Sequence, residues 1–580
     1  MTGSNNKGLL LGSEISAWMH NAFLAAFPDH ADVLENIEAV ATANPEFGDY
    51  QCNAAMSLAK QLKKAPREIA AAAVDSASQW NAVEQLDIAG PGFINISLNP
   101  TWLAQRLTGM NADSRLGIPA VGEGRTLVMD YGCPNITKPL HIGHLRSHNI
   151  GNALDRIHRF LGYTVIADNH LGDWGTQFGI TIMGYRHFGD EAAMKDHPLE
   201  ELERVYVESY KRGEEDDQWK AQCRNELAKL QSGDEENRTL WEMFVNLSIN
   251  EIEHIYARLG IAYDLVRGES YYHDQLQPLV DRLREKGLAV TSEGATVVFL
   301  EDLGMPVCIV QKSDGAFNYA STDLATVESR IEEFNPERII YVTDERQQLH
   351  FRQIFAISNK VGYSTQFVHV WFGLMRMPDK IIQTREGNAI RLEALLDEAE
   401  SRALDIVKQS GAEMDADQQS EVARKVGIGA IKYADLSQNP QSVVTFTWEK
   451  ALALDGNSGP YLQYAYARIA SVRDKYNQRF PGQDPDSVSI KFVETVERTL
   501  AIKVAQFPEI VLRAADGYKP NIIADYLFEL AQAYSSFYQN VPFLKADEGI
   551  RESRVQLCGI IARVLKQGLD LLGIETPERI

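Results

Sequence analysis

Residues 125–167 read RTLVMDYGCPNITKPLHIGHLRSHNIGNALDRIHRFLGYTVIA, and the fold turns on this stretch. Thr126-Leu127-Val128-Met129-Asp130 predicts a buried strand, Tyr131 to Asn135 a turn, and Lys138 to His144 the opening of a helix. Ile150, Leu154, Ile157 and Leu161 set an apolar stripe on that helix, as expected where it packs on a sheet. Thr164 to Ala167 predicts a second strand at once, so the unit is β-loop-α-β with a phosphate-sized turn at the helix N-terminus. Free backbone N–H groups and the positive dipole end attract phosphate there, and His141 and His144 add donors aimed the same way. Gly143, without a side chain, lets a flat base or ribose lie against the backbone. On the residues alone, a pair of helix-capping or core histidines remains the alternative.

Working outward, 580 residues predict several domains, because single cores stop growing near ~250–300 residues. With 44% hydrophobic and 24% charged residues the chain reads as an ordinary globular protein. No run approaches ~18 apolar residues and Met1 to Leu11 lacks the shape of a secretion signal, so no membrane partner and a cytoplasmic location are expected. Five cysteines, never in C-x-x-C spacing, disfavour disulfides and structural zinc, and no metal site is expected from them. A net charge of −23 opposes indiscriminate nucleic-acid coating and leaves room only for local basic patches.

Residues 1–118 read as a separate α+β module. Ala54 to Ala73 is helical with a break at Pro66 and carries Lys60, Lys63, Lys64 and Arg67 on a basic face; Gly90 to Ile96 reads as turn plus strand. Residues 119–395 alternate α and β again: helix Leu324 to Phe334, strand Arg338 to Val342, helix Leu349 to Val361, strand Phe367 to Trp371. A charge-dense helical insertion near 185–245 reads as a solvated surface. Connecting helices fill 396–455, and residues 456–580 form an all-helical domain after the hinge Gly456 to Pro460. Its aromatics at helical spacing suit a core, and tyrosines beside arginine also suit stacking on splayed bases.

His141-Ile142-Gly143-His144 resembles the HIGH signature of class I aminoacyl-tRNA synthetases. Pro134-Asn135, Lys138-Pro139 and Leu145-Arg146-Ser147 around it, with Gly172-Asp173-Trp174-Gly175-Thr176-Gln177-Phe178-Gly179, are similar to the arginyl-tRNA synthetases. The resemblance implies a Rossmann-like α/β catalytic domain with a parallel sheet, an N-terminal α+β domain that contacts the tRNA elbow, and a C-terminal all-α DALR-type anticodon-binding domain. It implies ATP-dependent activation of L-arginine to arginyl adenylate and transfer to the 3′-terminal ribose of tRNA(Arg), with Mg²⁺ on the phosphates and a monomeric enzyme.

By the same resemblance His141, His144, Lys138 and Arg385 are catalytic, and Ile142, Gly143, Lys380 and Thr384 join the histidines around ATP. Asp130, Asn135, His144, Tyr319, Asp323 and Gln347 are the implied arginine ligands, with Gln348 as the alternative to Gln347. Candidate tRNA contacts are Asn53, Lys60, Lys63, Lys64, Tyr461, Tyr464, Arg468, Tyr534 and Tyr538. The loop Asp379 to Asn388 matches the second class I signature, KMSKS, in degenerate form: Gln383 and Thr384 fall where serine and lysine are expected. Lys138, three residues before His141, fills the position thought to take over the missing lysine's charge. Two further readings are another HIGH-type nucleotidyltransferase or synthetase, and a non-catalytic tRNA-binding paralogue.

Overall fold

The computed structural model describes residues 10–42, 44–136, 138–377, 390–410 and 413–580. The chain forms two compact units, one of residues 122–405 and 430–451, the other of residues 1–121, 406–429 and 452–580.

The first of these is built on five strands: β1 Thr126–Tyr131, β2 Thr164–Leu171, β3 Leu265–Gly268, β4 Arg338–Asp344 and β5 Gln366–Phe372. They lie in the order β5-β4-β1-β2-β3, every neighbouring pair parallel. Parallel neighbours need long crossovers that cover the sheet, which is why Leu127, Val128 and Met129 of β1 are all buried. Strand order reverses between β1 and β4, so the carboxyl end of β1 opens into the crevice where a doubly wound sheet binds its ligand.

Helix α1 (Ile142–Phe160) leaves that crevice and packs on β1, β2 and β4. Ile150, Leu154, Ile157 and Leu161 are at most 1% exposed, as the stripe predicted. The helix is also buried on its polar side, so each polar group there needs a partner. Arg146 donates from Nε to Asp435 at 2.9 Å and from Nη1 to the carbonyls of Gly373 and Ser442, while Asn149 donates to the other Asp435 oxygen.

Between β2 and β3 lies the insertion: α2 (Thr176–Phe188), α3 (Pro198–Glu215), α4 (Asp217–Ser232) and α5 (Glu235–Arg258). Its charge density predicts a solvated surface, yet Met183, Trp219 and Cys223 form a small core, and the Trp219 indole N–H donates to Ser209 at 3.1 Å. Helices α6 (Tyr319–Phe334) and α7 (Gln348–Val361) build the main apolar core with Val128, Ile339 and Tyr341. Strands Ala289–Ser292, Ala295–Val298 and Cys308–Gln311 form a short antiparallel meander. Sequence periodicity marked neither that meander nor β3.

In the second unit, strands Ala39–Ala41, Tyr50–Cys52, Phe93–Leu98 and Val83–Ala89 pair antiparallel in that order. Helices Ala54–Leu62 and Pro66–Asp75 meet at the expected proline break. Four long helices, Gly459–Arg479, Thr495–Asp516, Asn521–Asn540 and Ile550–Leu571, complete it. Arg498 joins the two parts by gripping Asp49 from Nε at 3.0 Å and Nη2 at 2.6 Å, while Asp49 also accepts from Leu98 N–H. Among the described residues no helix is long and apolar enough to cross a membrane.

Candidate active site

His141 is the N-cap of α1. Its Nδ1 accepts from the Gly143 N–H at 3.0 Å, and His144 Nδ1 accepts from the His141 N–H at 3.1 Å. The rings lie 3.9 Å apart between centroids, tilted by 31°. Burial, then the neighbouring Lys138 ammonium, pulls His141 down to about 4; burial, then His141, holds His144 well below the ordinary imidazole range. Both rings are therefore neutral near pH 7. With Nδ1 accepting from backbone, a neutral ring carries its hydrogen on Nε2, which leaves one donor on each imidazole. The capping and phosphate-binding readings of the pair are thus compatible. A Cβ on Gly143 would come within 2.8 Å of the His141 ring, so the glycine is what lets that ring fold back onto the helix.

Three chain segments converge on this cap. Lys138, half-buried, holds Nζ 4.4 Å from the centroid of the Tyr206 ring on α3. Arg391 forms an isolated antiparallel bridge with His141, and Ile142 N–H donates to Ile390 O at 3.0 Å. Asn135 pairs with Gly172, with Gly172 N–H donating to Pro134 O and Ile136 N–H to Gly172 O. The sequence-assigned Lys380, Thr384 and Arg385 lie outside the described residues.

Asp130, an arginine ligand by the resemblance, is bonded to donors of the chain itself. Its Oδ2 accepts from Arg330 Nη2 at 2.6 Å and its Oδ1 from the Cys133 thiol at 2.8 Å. Arg330, fully buried, also binds Asp168 through Nε and Nη2 at 3.0 and 2.8 Å. Both Asp130 oxygens already hold donors supplied by the chain itself.

The carboxylates that remain available gather elsewhere. Asp323 and Tyr319 sit on the first turns of α6, Tyr319 being 68% exposed. Asp323 Oδ2 is bonded to His350 Nε2 of α7. Glu269, directly after β3, feels the charge of Asp323 and Asp173; burial first, then these two, pushes its carboxyl up to about 7. Partial burial, then the charges of Glu269 and Asp323, raises the Tyr319 phenol. Glu269, Asp323 and Tyr319 therefore lie close enough for their charges to act on one another. Gln347 is exposed at the N-cap of α7, and Gln348 is half-buried beside it.

The Gly172 to Gly179 block is the corner that carries Glu269. Asp173 accepts from Ser270 N–H at 2.8 Å and Ser270 Oγ at 2.5 Å, and the Trp241 indole donates to Asp173 O at 2.7 Å. Gly268 permits that contact, since its Cβ would lie 2.1 Å from the Asp173 carboxylate. Trp174 Nε1 bonds His273 at 3.1 Å, and the Trp174 backbone N–H reaches Glu269. Sequence reading did not find Glu269 because no motif surrounds it; only the β2-β3 neighbourhood brings it beside Asp173.

Of the candidate tRNA contacts, Asn53, Lys60, Lys63 and Lys64 are exposed. Arg468 is stacked between Tyr464 at 4.7 Å and Tyr538 at 5.1 Å. Tyr461 bonds Ser535 at 3.1 Å. Tyr534 is not available for base stacking: it is fully buried on the face of its helix that also buries Leu527, Leu530 and Phe537.

The family description "tRNA synthetases class I (R), catalytic domain" matches residues 107–448, "Arginyl tRNA synthetase N terminal domain" residues 11–98, and "DALR anticodon binding domain" residues 462–580. The arginine–tRNA ligase of Fusobacterium nucleatum is 43% identical over 542 residues, covering 93% of this chain and 95% of that one. That of Hahella chejuensis is 40% identical over 587 residues, covering 98% and 99%. Among solved structures, the arginyl-tRNA synthetase of Plasmodium falciparum superposes with a TM-score of 0.82 at 27% identity, over 98% of this chain and 99% of that one. The Thermus thermophilus arginyl-tRNA synthetase gives 0.83 at 25% identity, over 98% and 100%.

Proposed function

The chain belongs to the arginyl-tRNA synthetase family of class I aminoacyl-tRNA synthetases, and from that premise we propose that it joins L-arginine to tRNA(Arg) at the expense of ATP. The arginine carboxylate attacks the α-phosphate of ATP, the bond to the β-phosphate breaks, and pyrophosphate leaves. A hydroxyl of the 3′-terminal ribose, the 2′ one in this family, then attacks the arginyl carbonyl and AMP departs.

Such phosphoryl chemistry asks the protein for positioning and charge neutralisation. The observation that carries the reading is the pair of imidazoles capping α1 at the strand-order reversal, each bonded to backbone N–H through Nδ1 so that Nε2 is left to donate. These donors bind phosphate oxygens, and their hydrogen bonds strengthen as charge develops on them. Lys138 supplies the positive charge that the degenerate Asp379 to Asn388 loop lacks at Thr384, with Arg385 as a second cation. Mg²⁺ arrives on the nucleotide: among the described residues no group of three His, Cys, Asp or Glu side chains forms a cage for it, and phosphate oxygens suit it as ligands.

Glu269 and Asp323 grip the guanidinium, with Tyr319 closing over it, and Asn135 and Gln347 hold the amino acid's polar end. Asp130 keeps Arg330 in place beneath β1 and shapes the strand end. A buried carboxylate facing an amino acid without the guanidinium fork stays unpaired, so rejection is strong without a separate editing site. Asn53 and the Lys60, Lys63 and Lys64 face meet the tRNA elbow, and Tyr461, Tyr464, Arg468 and Tyr538 offer the anticodon loop its stacking surface. The enzyme works as a cytoplasmic monomer.

Pyrophosphate exchange measured with each amino acid, with and without tRNA, tests the scheme. Exchange with arginine, appearing on addition of tRNA, is expected; exchange driven by a different amino acid overturns it.

A further inference from the structure

The inserted helix α3 turns one face toward the cap of α1. Glu200, Glu203 and Tyr206 follow one another at three-residue spacing, which places them as neighbours on a helix surface. Tyr206 presents its ring to Lys138 Nζ at 4.4 Å. Glu203 adds its charge to the surroundings of that ammonium and accepts from Arg391 Nη2 at 3.0 Å; Glu200 accepts from Arg391 Nη1 at 2.6 Å. Arg391 in turn is tied to the cap, since its backbone bridges His141 and Leu392 N–H donates to Leu140 O at 2.8 Å. One helix face therefore contacts both Lys138 and Arg391.

We propose that Tyr206 and Glu203 are positioning residues for amino-acid activation, holding the Lys138 ammonium beside the histidines through the Tyr206 ring face while Glu203 and Glu200 anchor Arg391. The inference rests on the reading that Lys138 acts on the ATP phosphates. The chemistry favours a ring over a direct ion pair. A lysine side chain is flexible and loses its rotamer freedom only when something holds it. Among the described residues no carboxylate stands within 4 Å of Lys138 Nζ, so its charge is restrained without being spent on a carboxylate. An aromatic face attracts an ammonium enough to favour one rotamer and weakly enough to release it to a phosphate.

The test is tRNA-supported arginine-dependent pyrophosphate exchange by the full-length protein carrying Tyr206→Phe, Tyr206→Leu, Lys138→Ala, or Lys138→Ala with Tyr206→Leu. Lys138→Ala is expected to lower kcat more than about a hundredfold. Tyr206→Leu is expected to lower kcat about tenfold with the KM for arginine unchanged, and Tyr206→Phe, which keeps the ring, to stay within about twofold of the parent. In the Lys138→Ala background Tyr206→Leu should add nothing, because the two act through one group. Equal losses from Tyr206→Leu in both backgrounds would reduce Tyr206 to a packing residue and overturn the proposal. A Tyr206→Leu protein as active as the parent overturns the clamp and leaves the role of Lys138 standing; near-parental kcat in Lys138→Ala overturns the underlying reading itself. Should the leucine variant not fold, Tyr206→Gln repeats the comparison.

Discussion

Replacing Glu269 by glutamine removes one of the two carboxylates assigned to the guanidinium and keeps its shape. A charge-assisted contact of this kind is worth about 2–3 kcal/mol, so kcat/KM for arginine should fall roughly 30- to 150-fold at pH 8. The pH dependence gives a second, independent readout. Burial, then Asp323 and Asp173, pushes the Glu269 carboxyl up to about 7, so the free protein holds it largely neutral at pH 6 and ionised at pH 8. Only the ionised form pairs with a guanidinium. The parent's kcat/KM should therefore rise with pH through about 7 and be about tenfold lower at pH 6 than on its plateau, a limb that Glu269→Gln abolishes. Stability should move the opposite way. A carboxyl whose folded-state affinity for its proton is raised from 4.5 to about 7 stabilises the fold below 4.5 and loses that contribution as pH rises through about 7. At pH 8 the glutamine variant should thus melt higher than the parent while binding arginine worse. The assays are pyrophosphate exchange at saturating ATP with arginine varied, and thermal melts at two pH values. A variant that keeps the parent's pH limb, or loses less than about threefold at pH 8, refutes the guanidinium role of Glu269.

Asp435→Asn leaves the guanidinium of Arg146, 1% exposed, without its counter-charge, and should destabilise the catalytic unit by about 3–5 kcal/mol in urea unfolding followed by tryptophan fluorescence. Gly143→Ala pushes a methyl group within 2.8 Å of the His141 ring; exchange should drop at least about tenfold through kcat with the melting temperature nearly unchanged, because the position is exposed. Joint replacement of Lys60, Lys63 and Lys64 by glutamine should weaken tRNA binding and flatten its salt dependence, seen as a raised KM for tRNA with the KM for arginine unaltered.

The β1-loop-α1-β2 unit was legible because its signals are local: an apolar run, a glycine-proline turn and a helical stripe within 43 residues. The histidine pair was legible too, although its double use was not, since only coordinates reveal that each Nδ1 bonds backbone. What escaped is non-local. Arg330 reaches Asp130 across 200 positions of sequence, a partner for the acid at the end of β1 that no local pattern marks. Glu269 joins Asp323 because parallel crossovers put β3 beside β2 and α6 nearby, which no spacing announces. The charges of α3 looked like a solvated face because a sequence cannot tell a helix turned to water from one turned toward two half-buried cations. Tyr534 and Tyr538 share a helix with the same residue type, and only packing separates the buried ring from the one over Arg468.

The grip of Arg498 on Asp49 has a consequence measured in time. The partners stand 449 residues apart, with the whole catalytic unit encoded between them. At roughly 5–20 residues per second, a nascent chain carries the N-terminal sheet with Asp49 unmatched for about 20–90 s before its arginine is synthesised. Throughout that interval the sheet must persist on its own strand pairing, and the catalytic unit has its opportunity to fold first, as the inner of two nested tasks.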